Sequence, residues 1–359
     1  MAHIRIQKLR KQLVSQKIDA YLSVRDEDIR YLTGFPAHES WLLVGLEKAA
    51  FFTDPRYSQE ARQHLKGVAV RECRGSLREE LARYMTRRSL KTIGFDERHF
   101  SVFSLKQLKS TLPAGTRLKA VNDAVLRLRL IKDREEISGI KESLAFNMKA
   151  YQYLKTMIHP GMRERDVFAR LLEFISKNHI RFAFDPIIAS GPNSAFPHAR
   201  ITDRRIERKD LLLIDMGMEK NGYKSDLTRI FLFARISPSV EKVYKAVAEA
   251  QQAALGMIRD GIAVAQVDQA ARKSLKKKGL DKQFIHSLGH GLGLDIHEPP
   301  RLSVKSSEVL KSGMVVTVEP GVYLKGRFGI RIEDMVLVKD QGCEVLSQSL
   351  ISSHPFLLK

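Results

Sequence analysis

Cysteine is nearly absent: Cys73 and Cys343 are the only two in 359 residues. Two cannot build the disulfide framework of a small secreted domain, and such sparing use suits a reducing compartment. Long apolar runs are missing as well. No stretch of eighteen apolar residues exists, which excludes a membrane-spanning helix. The opening Met1-Ala-His-Ile-Arg-Ile-Gln-Lys has neither the apolar core nor the cleavage site of a secretory leader, so a cytoplasmic protein is expected. Internal repeats and low-complexity segments are absent. Acidic residues are in deficit, 41 against 61 basic, for a net charge of +20. That excess raises nucleic acid or an acidic surface as a partner. Residues 1–125 carry +9 and the remainder +11, so the charge is spread and forms no dedicated basic arm.

What is present belongs to a globular enzyme-sized chain. Hydrophobic residues at 43% and charged residues at 28% exclude disordered and fibrous classes. The length fits two domains. Residues 4–17 carry apolar side chains at helical spacing. Short apolar stretches at 20–24, 41–46 and 49–53 read as strands, and 57–65 and 77–88 as helices. Strands punctuated by helices indicate an α/β unit, and the boundary is placed near residue 125. A long amphipathic helix then starts at Asp133-Arg-Glu-Glu, marked by Ile137, Ile140, Leu144, Met148 and Tyr151. Pro160-Gly161 stops it, and residues 167–175 begin another. Lys276, Lys277 and Lys278 read as a solvated helix end, Trp41 and Tyr57 as packing residues, and both cysteines as inert.

Beyond residue 210 the pattern changes to hairpins that carry carboxylates. Residues 211–218 form an apolar strand, and 223–233 return after a turn containing Asn221-Gly222. A two-residue loop there sets Asp215 diagonal to Asp226, and a four-residue loop sets them opposite. Either register keeps both on one face, roughly 5–8 Å apart at Cβ. Buried like charges at that distance require a cation between them. Residues 314–321 and 329–338 read as two further strands, bearing Glu319 and Glu333. Between the two pairs lies His286-Ser-Leu-Gly-His-Gly-Leu-Gly-Leu-Asp-Ile-His-Glu298, whose His286, His290 and His297 are candidate ligands or proton carriers. Four carboxylates and a histidine make an oxygen-rich site suited to two divalent ions, with Mn²⁺, Co²⁺, Fe²⁺ and Zn²⁺ all compatible. A pair of ions roughly 3.5–4 Å apart can share a hydroxide and polarise a carbonyl.

These segments, with Ile188-Ala-Ser-Gly-Pro-Asn-Ser-Ala-Phe-Pro-His198, Tyr223-Lys-Ser-Asp-Leu-Thr-Arg229 and Glu319-Pro-Gly-Val-Tyr323, resemble the proline-specific pita-bread metallopeptidases, the Xaa-Pro aminopeptidases and Xaa-Pro dipeptidases (prolidases). Asp28-Ile-Arg-Tyr-Leu-Thr-Gly-Phe35 and Thr53-Asp-Pro-Arg-Tyr57 resemble their creatinase-like N-terminal domain. The resemblance implies an α/β creatinase-like domain over 1–125 and an α+β pita-bread catalytic domain over 126–359. It implies two divalent metal ions, manganese first, with cobalt, zinc and iron as alternatives. Asp215, Asp226, His290, Glu319 and Glu333 become the ligands, with Asp226 and Glu333 shared by both ions. Glu319 also handles the proton of the nucleophile. His198 and His297 contact the substrate amide and stabilise the tetrahedral intermediate. His286, Tyr323 and Arg331 line the proline side of the pocket, Arg331 also pairing with a ligand carboxylate. Substrates would be small peptides with proline second, and the assembly a homodimer. Ile201 and Lys209 depart from the common pattern without touching the chemistry. Two rivals are weighed: a methionine-aminopeptidase-like enzyme, opposed by the N-terminal domain and by His286 and Arg331, and a basic nucleic-acid- or ribosome-binding protein, opposed by the intact ligand set. Dipeptidase and aminopeptidase both stay open.

Overall fold

The computed structural model describes residues 2–233, 237–348 and 356–358. The chain divides between Arg129 and Leu130 into two compact units. In the first, a six-stranded mixed sheet runs in the order Val68–Glu72, Ala49–Thr53, Trp41–Gly45, Ala20–Ser23, Thr92–Phe95 and Arg117–Ala120. Trp41–Gly45 is antiparallel to both its neighbours and every other pairing is parallel. The central strands are apolar and buried on both faces, as expected where helices cover a sheet on each side. Ala20, Leu22, Leu43, Ala50, Phe52 and Ile93 share one core with Leu81, Tyr84 and Met85 of the helix Leu77–Thr86.

The second unit opens on the helix Arg134–Met157. Its start is fixed by a capping box: Asp133 accepts from the Glu136 amide at 3.0 Å while Glu136 accepts from the Asp133 amide at 3.1 Å. The hairpin strands Leu211–Met216 and Leu227–Leu232 lie between two cores. Leu211, Leu213, Ile230 and Leu232 pack with the helices Pro238–Leu255 and Val264–Lys277. Leu212, Ile214, Met216, Leu227 and Phe231 pack with Arg134–Met157 and Glu164–Asn178. Burial on both faces explains why these strands are continuously apolar. Asp215 and Thr228, cross-strand partners, fall on the Leu213 and Ile230 side.

The turn settles the register left open above. Lys220 pairs with Tyr223, so Asn221-Gly222 is a two-residue loop, with φ of 52° and 79°. Both values are positive, as a turn matching strand twist demands. Thr228 then faces Asp215, which places Asp226 diagonal to it. One helix face adds side-chain donors to backbone carbonyls of this hairpin. Ser143, Asn147 and Tyr151, spaced by four, donate to the carbonyls of Met218 at 2.6 Å, Met216 at 2.7 Å and Leu227 at 2.7 Å.

The expected single strand over 329–338 is corrected. Phe328–Arg331 pairs with Gly321–Leu324, whereas Asp334–Val338 joins a different sheet beside Val315–Val318. Glu333 sits at the break. Its amide donates to the Thr228 carbonyl at 3.3 Å, and its own carbonyl accepts from the buried Arg229 guanidinium, so tertiary bonds take over from the ladder there. That five-stranded sheet runs Glu298–Leu302, Gly289–Gly291, Val315–Val318, Asp334–Val338 and Cys343–Val345.

Candidate metal centre and active site

A cavity of about 1090 Å³ opens in the second unit, walled by Asp215, Asp226, His290, Glu319 and Glu333 at its base and by His198, His286, His297 and Arg331 around it. Nine of the ten residues expected at the site line it. Tyr323, 6% exposed, is not among the lining residues, and its hydroxyl lies between two that are, His286 and Arg331.

Each ligand candidate is held by a different piece of backbone. Asp215 is the last residue but one of one hairpin strand and Asp226 precedes the other. His290 is the middle of Gly289–Gly291, which runs beside Val315–Val318, and Glu319 follows that strand. Donor atoms of Asp226, His290 and Glu333 lie within 4.8 Å of one another. The His290 Nε2 is 3.6 Å from both Asp226 Oδ2 and Glu319 Oε1. Its Nδ1 donates to the Gly291 carbonyl at 3.0 Å, so the proton is on Nδ1 and the Nε2 lone pair faces two carboxylates. At 3.6 Å neither contact is a hydrogen bond. The spacing suits ligand atoms each about 2.0–2.2 Å from a shared ion.

Electrostatics make the same demand. Four carboxylates meet here, and among the described residues Arg331 is the guanidinium that touches them, its Nη2 donating to Asp215 Oδ2 at 2.6 Å. Burial, then the neighbouring acids, push Asp226 and Glu333 well above the usual carboxylate range. Burial, with Asp215 opposing ionisation as well, raises Glu319 to about 8. Desolvation lowers His290 to about 4, keeping it neutral. Asp215 Oδ1 and Asp226 Oδ1 are buried without a hydrogen-bond partner, which costs several kcal/mol for a charged group unless something compensates. An oxygen-rich set with one imidazole, two orphaned oxygens and an inward lone pair fits divalent cations.

A hydrogen-bonded chain runs behind the cluster. Arg331 Nη1 donates to the Tyr323 hydroxyl at 2.5 Å, and that hydroxyl lies 2.9 Å from His286 Nε2. The His286 Nδ1 donates to the Ser287 carbonyl at 2.8 Å. Both ring nitrogens of His286 are thus occupied, and burial lowers it to about 4. The ring forms part of the cavity lining. His198 and His297 are exposed at the cavity wall, and the rings of His290 and His297 approach edge to face at 4.4 Å. Desolvation lowers His297, with Asp215 pulling the other way.

Several supporting residues went unread in the sequence. Thr228 donates to Glu333 Oε2 at 2.8 Å and accepts from Arg331 Nε at 3.1 Å. Thr317 accepts from the His290 amide at 3.1 Å and lies 3.5 Å from Glu319 Oε1. A signal existed: each stands two residues from a ligand candidate and so shares its strand face. Lys132 and Glu298, a buried ion pair at 3.1 Å beside His297, gave no local signal, being 166 residues apart.

Comparison with known proteins agrees with this geometry. Residues 5–131 match the creatinase/prolidase N-terminal domain, and residues 138–340 match metallopeptidase family M24. The chain is 34% identical to an Xaa-Pro dipeptidase of Pyrococcus furiosus, covering 96% of this chain and 98% of that one. Among solved structures it resembles an X-Pro aminopeptidase from Thermotoga maritima, with a TM-score of 0.89 and 34% identity over 95% of this chain and 98% of that one. It also resembles an Xaa-Pro dipeptidase from Bacillus anthracis, with a TM-score of 0.95 and 32% identity over the whole of both chains. An α/β creatinase-type domain followed by a pita-bread domain with a buried carboxylate–histidine cluster identifies the chain as a member of metallopeptidase family M24.

Proposed function

We propose that the chain hydrolyses the peptide bond preceding proline, in Xaa-Pro dipeptides or at the N-terminus of longer Xaa-Pro peptides. The observation that carries this reading is the buried carboxylate cluster facing the His290 Nε2 lone pair at the base of an open cavity. Asp215, Asp226, His290, Glu319 and Glu333 would hold two divalent ions, manganese first, with Asp226 and Glu333 assigned to both. Bound there, such ions supply Lewis-acid polarisation of a carbonyl and a nucleophile usable at neutral pH.

The chain's own residues do the rest. Glu319, whose Oε1 faces His290 and Thr317, is assigned to receive the proton of the attacking water. His198 and His297, exposed on the cavity wall, donate N–H groups to the carbonyl oxygen as negative charge develops on it. Arg331 fixes Asp215 with one nitrogen and Tyr323 with another, which holds a ligand carboxylate in one rotamer. The His286 ring offers an apolar surface to the proline ring. Proline's tertiary amide has no N–H, so no acceptor is needed against it.

The test is release of proline from an Xaa-Pro dipeptide and cleavage of a longer Xaa-Pro peptide, assayed side by side with metal analysis. Activity should disappear with chelator and return with Mn²⁺ or Co²⁺. A metal-loaded preparation inert on every Xaa-Pro substrate, yet binding RNA in a salt-sensitive manner, would overturn the reading. A homodimer in the cytoplasm belongs to the same proposal, and sedimentation checks the association. Within the structure, no described helix is long and apolar enough to cross a membrane.

A further inference from the structure

The segment that carries His198 runs from Ser190 to Thr202, and both of its ends close on a single side chain. Glu164, the first residue of the helix Glu164–Asn178, is fully buried. Its Oε1 accepts from the Ser190 amide at 2.7 Å, the Ser190 hydroxyl at 2.8 Å and Asn193 Nδ2 at 3.1 Å. Its Oε2 accepts from Asn193 Nδ2 at 2.9 Å, the Thr202 amide at 3.0 Å and the Thr202 hydroxyl at 2.6 Å. Every partner is a donor, and no basic side chain touches the carboxylate in these bonds. A buried acid is tolerated in that form only when hydrogen bonds from fixed groups replace its hydration.

A purely structural acid would close one loop end or cap its own helix. This one joins residues 190, 193 and 202, leaving 194–201 as a short arch that presents Pro197 and His198 to the cavity. The arch touches the catalytic cluster once more, where Arg331 Nη1 donates to the Pro197 carbonyl at 3.2 Å. The ring of His198 itself is exposed and makes no hydrogen bond among those described. Its position is therefore set by the backbone of the arch, whose two ends are tied to Glu164 and whose middle is tied through Ser194 to the Gly329 amide at 2.9 Å and through Pro197 to Arg331. We infer that Glu164 is a positioning residue for His198, fixing through Ser190, Asn193 and Thr202 where that imidazole meets the substrate. The inference rests on the peptidase reading above for the consequence, and on the hydrogen bonds alone for the placement.

Replacing Glu164 risks misfolding, so the test removes its partners. Thr202→Val keeps the shape and deletes one hydroxyl donor; Asn193→Ala deletes the amide that spans both oxygens. In the metal-loaded enzyme the double variant should lose about tenfold or more in kcat with little change in KM, since misplacing a group that acts in the transition state spares ground-state binding. Combined with His198→Ala, it should cost nothing further. Effects that multiply in full in that background would show that Glu164 acts on the fold and not through His198. A second readout needs no activity: the ring signals of His198 in histidine-labelled protein should move and sharpen toward those of a mobile imidazole in the double variant. An unchanged His198 signal overturns the inference whether or not the chain cleaves Xaa-Pro peptides. An inactive parent enzyme with a shifted signal would instead sink the peptidase reading alone.

Discussion

Asp226 is the residue on which the metal reading turns, because its Oδ1 is buried without a partner while its Oδ2 faces the His290 lone pair. Asp226→Asn keeps the shape and removes one charge. If Asp226 serves as proposed, losing it should cost several kcal/mol of transition-state stabilisation, about 10³-fold in kcat/KM. Metal content should fall with it. The metal-free variant should melt no lower than metal-free parent protein, since one of several crowded like charges has gone. Near-full activity with full metal content would refute the assignment. A proton balance follows from the same crowding. In the metal-free protein Glu319 titrates at about 8, above its unfolded value of 4.5, so its contribution to stability is present at low pH and is lost as pH rises from 4.5 through 8. His290, lowered to about 4, carries no proton to displace at neutral pH. Cations entering near pH 7 must therefore expel carboxyl protons, and apparent affinity should weaken as pH falls below 8. Calorimetric titration of Mn²⁺ in buffers of different ionisation enthalpy measures that release, and its absence at pH 7 would contradict the electrostatic account.

At the scale of strands, the centre depends on how closely backbones approach. A Cβ on Gly289 would overlap the Thr317 carbonyl, and one on Gly291 the carbonyl of Pro299. Only glycines on either side of His290 allow its strand to lie close enough for the imidazole to reach between Asp226 and Glu319. Gly289→Ala should therefore destabilise the chain by about 1–3 kcal/mol and weaken Mn²⁺ binding by at least tenfold, read from thermal melts and metal titration. A variant with parental affinity would show that the strand can retreat without moving His290. This is also the scale at which the sequence was most legible. Asn221-Gly222 limited the hairpin to two registers, and either one kept Asp215 and Asp226 together. The capped helix after Asp133 and the stop at Pro160 follow from local chemistry alone. The break at Glu333 was not legible, because an apolar run continuing through 338 has the same pattern whether its strand stays in one sheet or changes partner. Arg331 reaching Asp215 across 116 positions, or Glu164 gathering residues 190 to 202, likewise leaves no periodic trace. Strand parity offered Thr228 and Thr317 as neighbours of the ligands but could not rank them above other residues two places away. The roles of His198, His297 and Tyr323 came from family resemblance, not from local pattern. The Tyr323 hydroxyl joins His286 to Arg331, a link the resemblance did not name.

For the molecule as a whole, a net charge of +20 accompanies a centre whose own side chains are acidic. The two act over different distances. The cluster is buried and its carboxylates would be matched by bound cations, so little of its field should extend into solvent. The excess lysine and arginine is exposed and acts over roughly 10 Å at about 0.1 M salt and farther in dilute buffer. A charge spread over both halves of the chain forms no dedicated basic arm. It can raise the local concentration of any anionic solute. If that is its effect on catalysis, kcat/KM for an Xaa-Pro peptide with acidic side chains should fall about three- to tenfold between about 10 mM and 150 mM salt, within the range that electrostatic steering supplies. A neutral peptide of the same length should change little. Metal content measured at both salt concentrations separates steering from loss of ions, since added salt could also compete at the centre. Equal salt responses for the two peptides at constant metal content would show that the surface charge does not steer substrate, and the basic excess would then have to act on a partner other than the peptide.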